Sequence, residues 1–214
     1  GGPYPPQREY LADGSTRETA VMEPALPTPS EPNSGPLMVP QFRTEAVMRE
    51  RLAELGQHVQ FAHRLAGFEQ DAEGVTARIV RSDGEHRIRA CYLVGTDGGR
   101  SFVRHTLGIP FPGDTLGIRA LVADVRLNGL DRTAWHRFQL GDEASMMMIC
   151  PLAGTGLFQI QGPVSREGEV DISPAGLTAM VAQRSGCADI VVEAVSWASI
   201  YSMNARLADH YRIG

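Results

Sequence analysis

The chain has 214 residues, 43% of them hydrophobic, enough to bury a core in one large domain or two small ones. Its formal charge is −5, all 20 basic residues are arginine, and no basic cluster is interleaved with aromatics, which argues against nucleic acid as a partner. No run of eighteen apolar residues and no charged-then-apolar leader is present, so the expectation is a cytoplasmic protein with neither membrane span nor secretory signal.

The N-terminal region through "MEPALPTPSEPNSGPLMVP" is rich in Pro, Ser and Gly and has no helical period, which predicts extended or looped chain. From Gln41, "QFRTEAVMRERLAELG" places Met48, Leu52 and Leu55 on one face of a helix, with Gly56 as its stop. In "GVTARIVRSDGEHRIRACYLVG" the alternation at Val75, Ala77 and Ile79, a Ser-Asp-Gly turn at 82–84 and a return strand predict a hairpin that feeds a buried strand at Tyr92–Val94. There follows "GTDGGRSFVRHTLGI", a glycine-rich turn leading into an amphipathic segment with Ser101 near its start. Asp97 thus lies at a strand's C-terminal end, where ligands collect in open α/β sheets. It either accepts hydrogen bonds from ligand hydroxyls or caps the following helix.

Further along, "IRALVADVRL", "HRFQL", "SMMMICPL" and "GLFQIQGPV" read as successive strands, with a helical signal around "DRTAW" and a hairpin turn at "GDEAS". Ser173 as N-cap, Pro174 at the first position, Leu177, Met180 and Val181 as apolar face and Gly186 as stop predict a helix, and "DIVVEAVSWASIYS" predicts a last long strand. The fold class is α+β, a mixed α/β chain with a mixed sheet and a backing helix. Met148, Phe158 and Trp197 are candidates for one cavity face suited to a neutral planar ligand, and are as well suited to a core. Trp197, Ser199 and Tyr201 share a strand face.

Other chemistry has no signature here. Cys91, Cys150 and Cys187 are odd in number, far apart and without CxxC spacing, so neither a disulfide framework nor a zinc site is expected. His58 and His63 lack metal-ligand spacing, and no GxSxG, Cys-His or P-loop pattern occurs.

Gly95, Asp97, Gly98, Ser101, Val103 and Arg104 fill the pattern Gly-Ala-Asp-Gly-x-x-Ser-x-Val-Arg, with Thr96 in place of Ala. That segment resembles the second fingerprint of class A flavin monooxygenases, the FAD-dependent aromatic hydroxylases. "VPQFRTEAVMRERLAELG" resembles their segment in which a Gln at a helix start reaches the flavin, which points to Gln41. "ALPTPSEP" and "LMVPQFRTE" are similar to the bacterial aromatic polyketide hydroxylases of antibiotic biosynthesis. The resemblance implies Gln41, Asp97 and Gly98 as FAD contacts, and a sheet that roofs the flavin ring and builds the substrate cavity. It implies residues 37–109 as part of the FAD domain, 1–36 and 110–203 as substrate domain, and 204–214 as a return toward the FAD domain. The implied activity is FAD- and NAD(P)H-dependent hydroxylation of an aromatic polyketide through a flavin C4a-hydroperoxide, with no catalytic side chain required.

The family's opening GxGxxG and its later Gly-Asp-Ala-Ala-His segment do not occur in this sequence. The expectation is therefore the central piece of a larger flavoprotein, fragment or natural remnant, whose remaining flavin-domain elements belong to the parent chain. The piece alone is expected to be inactive as a hydroxylase. The alternative is a cofactor-free polyketide-binding module or cyclase.

Overall fold

The computed structural model describes residues 1–22, 26–33 and 35–214; part of the Pro/Ser/Gly-rich stretch, at 23–25 and 34, lies outside the described residues. In chain order the elements are β1 (Gln7–Tyr10), β2 (Thr16–Thr19), α1 (Gln41–Glu54), β3 (Arg64–Asp71), β4 (Gly74–Arg81), β5 (Gly84–Ala90), α2 (Phe102–Thr106), β6 (Gly113–Asn128), β7 (Trp135–Phe138), β8 (Met147–Pro151), β9 (Phe158–Val164), α3 (Pro174–Ser185) and β10 (Val191–Arg206). The chain divides into two compact units, residues 1–46 with 115–204 and residues 47–114 with 205–214.

The first unit is a seven-stranded mixed sheet in the order β10-β6-β9-β8-β7-β1-β2. Neighbours from β6 to β7 are antiparallel, and β1 joins parallel to β7 with Gln7 opposite Trp135. Strands β1 and β2 form an antiparallel pair within the stretch read only as extended or looped. The alternation seen in the sequence sorts the sheet's two faces. Leu121, Ala123 and Val125 of β6 pair across with Gly162, Ile160 and Phe158 of β9, and Met147 and Ile149 join the same face from β8. Helix α3 covers that face with Leu177 and Val181, both fully buried. Burying each such side chain contributes about 1.5–3 kcal/mol.

Helix α3 forms as its sequence predicts. The Ser173 hydroxyl accepts from the Gly176 N–H at 3.1 Å, Pro174 takes the first helical position, and Gly186 ends the helix at φ 71° with its N–H on the Ala182 carbonyl. "GDEAS" does connect an antiparallel pair, as a short 3₁₀ turn over Glu143–Ser145 capped by Asp142, whose carboxylate accepts from the Ser145 N–H at 3.0 Å. The helical signal at "DRTAW" is not realised. Asp131 instead accepts from the Thr133 N–H at 2.8 Å and from its hydroxyl at 2.5 Å, a local turn that competes with helical hydrogen bonding.

In the second unit β3, β4 and β5 form an antiparallel sheet, with Val75 and Ala77 buried and Ala77 opposite Ile88. The hairpin turn falls at 82–84 as expected. Tyr92–Val94 departs from expectation: the segment is not a strand, and Tyr92 and Val94 are 74% and 78% exposed. Its apolar run needs a neighbouring strand to complete its backbone hydrogen bonds, and among the described residues none pairs with it. Helix α1 also forms, but its apolar stripe is not covered: Met48 and Leu55 are exposed and Leu52 half-buried.

Candidate functional site

The Gly95–Arg104 segment is built around one carboxylate. Asp97 Oδ2 accepts from the backbone N–H of Phe102 at 2.7 Å and of Val103 at 3.2 Å, while Oδ1 accepts from the Ser101 hydroxyl at 2.5 Å. Ser101 Oγ in turn accepts from the Arg104 N–H at 3.0 Å. The first three amides of α2, which have no partner inside the helix, are thus all satisfied by two side chains. These bonds, that from Ser101 foremost, hold the Asp97 carboxyl below its ordinary value of 3.8. The glycines serve different ends. A side chain at Gly95 would begin 2.8 Å from Val103 Cβ, so the turn lies directly on α2, whereas Gly98 adopts φ +79° with open space beside it.

Of the two uses the sequence left open for Asp97, capping is realised, and it occupies three of the roughly four acceptor positions of a carboxylate. Asp97 remains exposed, with one acceptor position for an outside hydroxyl. Gln41 is the first residue of α1 in the first unit, exposed, its amide donating to Glu45 Oε1 at 3.0 Å. Asp97 and Gly98 belong to the second unit.

The first unit holds a cavity of about 810 Å³ at one end of its sheet, within the size range of small-molecule sites. Met148 lines it, together with Ile118, Met146, Tyr201 and Met203. Phe158 does not. Met148 pairs with Gln161 and Pro151 with Phe158, so Met148 and Phe158 stand on opposite faces, and Phe158 is 3% exposed in the core with Arg132 stacked 4.6 Å above its ring. Trp197 is 53% exposed and outside the cavity wall, which β10 reaches through Tyr201 and Met203. The single face proposed for Met148, Phe158 and Trp197 is therefore corrected: strand parity separates the first two, and length along β10 separates the third. The wall is not neutral either. It carries Arg119, Arg137, Arg166 and Arg184 against Glu143. Periodicity assigns a strand residue to a face but not to a cavity, and no sequence signal brings Arg184 of α3 to the end of the sheet.

Residues 10–214 match the FAD binding domain family. The chain belongs to that family. As an FAD binding domain chain it is similar to a flavin-dependent monooxygenase of Mycobacteroides abscessus, 32% identical over all of this chain and 46% of that protein. It is also similar to a dialkyldecalin synthase of Streptomyces rugosporus, 29% identical over 82% of this chain and 38% of that protein. Among solved structures, the OxyS anhydrotetracycline hydroxylase from Streptomyces rimosus superposes with a TM-score of 0.66 at 30% identity, over 82% of this chain and 35% of that one. The chain spans less than half the length of these relatives. The family settles FAD as the cofactor class and agrees with the resemblance carried by the Gly95–Arg104 motif. Among the described residues no group of three His, Cys, Asp or Glu is placed to hold a metal ion, and no helix is long and apolar enough to cross a membrane.

Proposed function

We propose that this chain is part of an FAD- and NAD(P)H-dependent monooxygenase that hydroxylates an aromatic polyketide, and that the 810 Å³ cavity is part of its substrate chamber. The observation that carries the reading is the Asp97 turn, preorganised by its own caps, in a chain of the FAD binding domain family. The residues present fit part of the cofactor. Asp97 would accept one ligand hydroxyl, and the open space beside Gly98 admits a ligand close to the backbone; Gln41, whose amide is bonded to Glu45, stays an FAD contact on the strength of the resemblance alone. Nothing in the sequence supplies the row of glycine amides at a helix start that cradles a pyrophosphate. Insertion of one atom of O₂ into the substrate, with NAD(P)H as reductant, is the chemistry FAD would supply; this chain's residues would bind, orient and exclude water. Such a reaction fits a cytoplasmic enzyme.

Two measurements test the reading. The 214-residue chain should bind FAD more weakly than micromolar in a fluorescence titration, because two side chains do not replace several backbone amides. The full-length enzyme containing this chain should show flavin absorbance and consume NAD(P)H and O₂ as it hydroxylates its substrate. The second reading, a polyketide-binding module or cyclase, draws on the likeness to a dialkyldecalin synthase. It predicts product formation without O₂ uptake and, in its cofactor-free form, no visible flavin.

A further inference from the structure

On the face of the first sheet opposite α3, the strand registers set Arg137, Met148, Gln161 and Val122 in one row from β7 to β6, and Cys150, Gln159 and Asp124 in the next. Arg137 is spent, giving Nη1 to Glu9 at 3.0 Å and Nη2 to Gln139 at 2.9 Å. The two glutamines stand two residues apart on β9, so their side chains leave the same face. Gln161 Nε2 donates to Gln159 Oε1 at 2.5 Å, and Gln159 Nε2 donates to Asp124 Oδ1 at 2.8 Å.

The direction of this relay follows from its end. A carboxylate only accepts, so Gln159 turns its amide nitrogen to Asp124 and its oxygen to Gln161, and Gln161 can meet that oxygen only with its own nitrogen. Asp124 thereby sets the orientation of an amide it does not touch. What Gln161 has left is its second N–H and its Oε1, which accepts no hydrogen bond among the described residues. Gln161 is half-buried, lies between Met148 and Val122 in its row, and lines the cavity with Met148.

We propose that Gln161 determines which ring substituent the cavity accepts: its Oε1 takes a hydrogen bond from a phenolic hydroxyl of the ligand, whose ring lies against Met148, and Gln159 and Asp124 are positioning residues that keep that oxygen free. The inference rests on the reading of this cavity as the substrate chamber and adds the group it selects, a hydroxyl that donates over an ether or ketone that cannot. Inside a closed chamber a ligand without that donor leaves the Gln161 oxygen unpaired, and an unpaired buried acceptor discriminates more strongly than a lost contact alone.

The test titrates the chain, by ligand fluorescence at pH 7, with anthracen-2-ol and with its methyl ether, 2-methoxyanthracene. The phenol should bind about fivefold or more tighter than the ether. Gln161→Leu should bring the two together while leaving the ether's affinity within about twofold. Asp124→Asn, which never meets the ligand, allows the relay to run in either direction and should about halve the preference; it also serves if the first variant does not fold. Equal affinity of the unaltered chain for phenol and ether overturns the acceptor role and leaves the chamber standing, whereas binding of neither overturns both. A preference that survives Gln161→Leu places the hydroxyl elsewhere, and one that Asp124→Asn leaves unmoved overturns the relay.

Discussion

The phenol of Tyr10 donates to Nδ1 of His136 across 2.9 Å, and Nε2 of His136 donates to the carbonyl of Asp131 at the same distance. A carbonyl only accepts, so the imidazole carries its proton on Nε2 and receives the tyrosine hydroxyl on Nδ1. The Tyr10 ring also stacks on Phe138, 4.4 Å between centroids, so this residue ties strand β1 to the core through both its edge and its face.

His136 is fully buried, and burial lowers its pKa below the ordinary 6.5. The unfolded chain therefore takes up a proton near pH 6.5 that the folded chain refuses, so stability is complete above that pH and falls as pH drops toward the folded value. Urea titrations between pH 7.5 and 5.5 should show the loss, at up to about 1.4 kcal/mol per pH unit. His136→Gln, which does not titrate, should flatten the slope. Tyr10→Phe keeps the stacking but leaves Nδ1 without a donor and should cost about 1–3 kcal/mol at pH 7.5. A slope unchanged by His136→Gln would assign the pH dependence to other groups.

Met148 and Phe158 differ by face, and truncation separates their roles. Phe158→Ala should cost about 3–5 kcal/mol in denaturant unfolding, as expected for a core aromatic. Met148→Ala should cost about 1 kcal/mol and instead weaken binding of a polycyclic ligand by several-fold. Trp197→Phe should leave that binding unchanged, since Trp197 stands outside the cavity. If Phe158→Ala proves nearly neutral, the assignment of the two faces is wrong.

Asp97→Ala removes three acceptor contacts at the start of α2 and should destabilise the chain by about 1 kcal/mol, the usual effect of losing a helix cap. In the full-length flavoprotein the same change should weaken FAD binding by about 1.5–3 kcal/mol if the remaining acceptor position holds a cofactor hydroxyl. An unchanged FAD affinity, measured on the folded variant, would leave Asp97 as a cap and nothing more.

Cys91 is exposed, while Cys150 is buried against Met38, with its thiol pushed up to about 12 by burial. Iodoacetamide at pH 8 should label Cys91 in the native protein and reach Cys150 only after unfolding, because the thiolate is the reactive form. Peptide mapping of the labelled chain reads this directly. Early labelling of Cys150 would mean that the Met38 contact opens readily.

Where a residue's role depends on its neighbours in sequence, it was legible beforehand. Helix α3 could be read from Ser173 to Gly186 because both caps and the apolar spacing are local, and the β4–β5 hairpin because its turn and alternation agree. Tyr92–Val94 was misread because strand formation depends on a partner that apolar sequence alone does not locate. Asp97 was recognised as important from the motif, but its partners at Phe102 and Val103 emerge only from the turn's geometry. The cavity was least legible. Alternation placed Met148 on a face without saying which face Phe158 shared, and the arginines that line the pocket come from β6, β7, the loop after β9 and the end of α3, which no pattern links.

The parallel pairing of β1 with β7 also sets an order of events on the ribosome. Tyr10 and His136 are 126 positions apart, so at about 5–20 residues per second the first strand waits on the order of ten seconds for its partner to be synthesised. During that interval one edge of β1 lacks the partner it has in the folded chain, and an unpaired strand edge is a template for pairing with other chains. Slower translation lengthens this window and chaperone binding shields it. The yield of correctly folded chain should therefore respond to translation speed between residues 20 and 135 more than to speed after β7 has emerged.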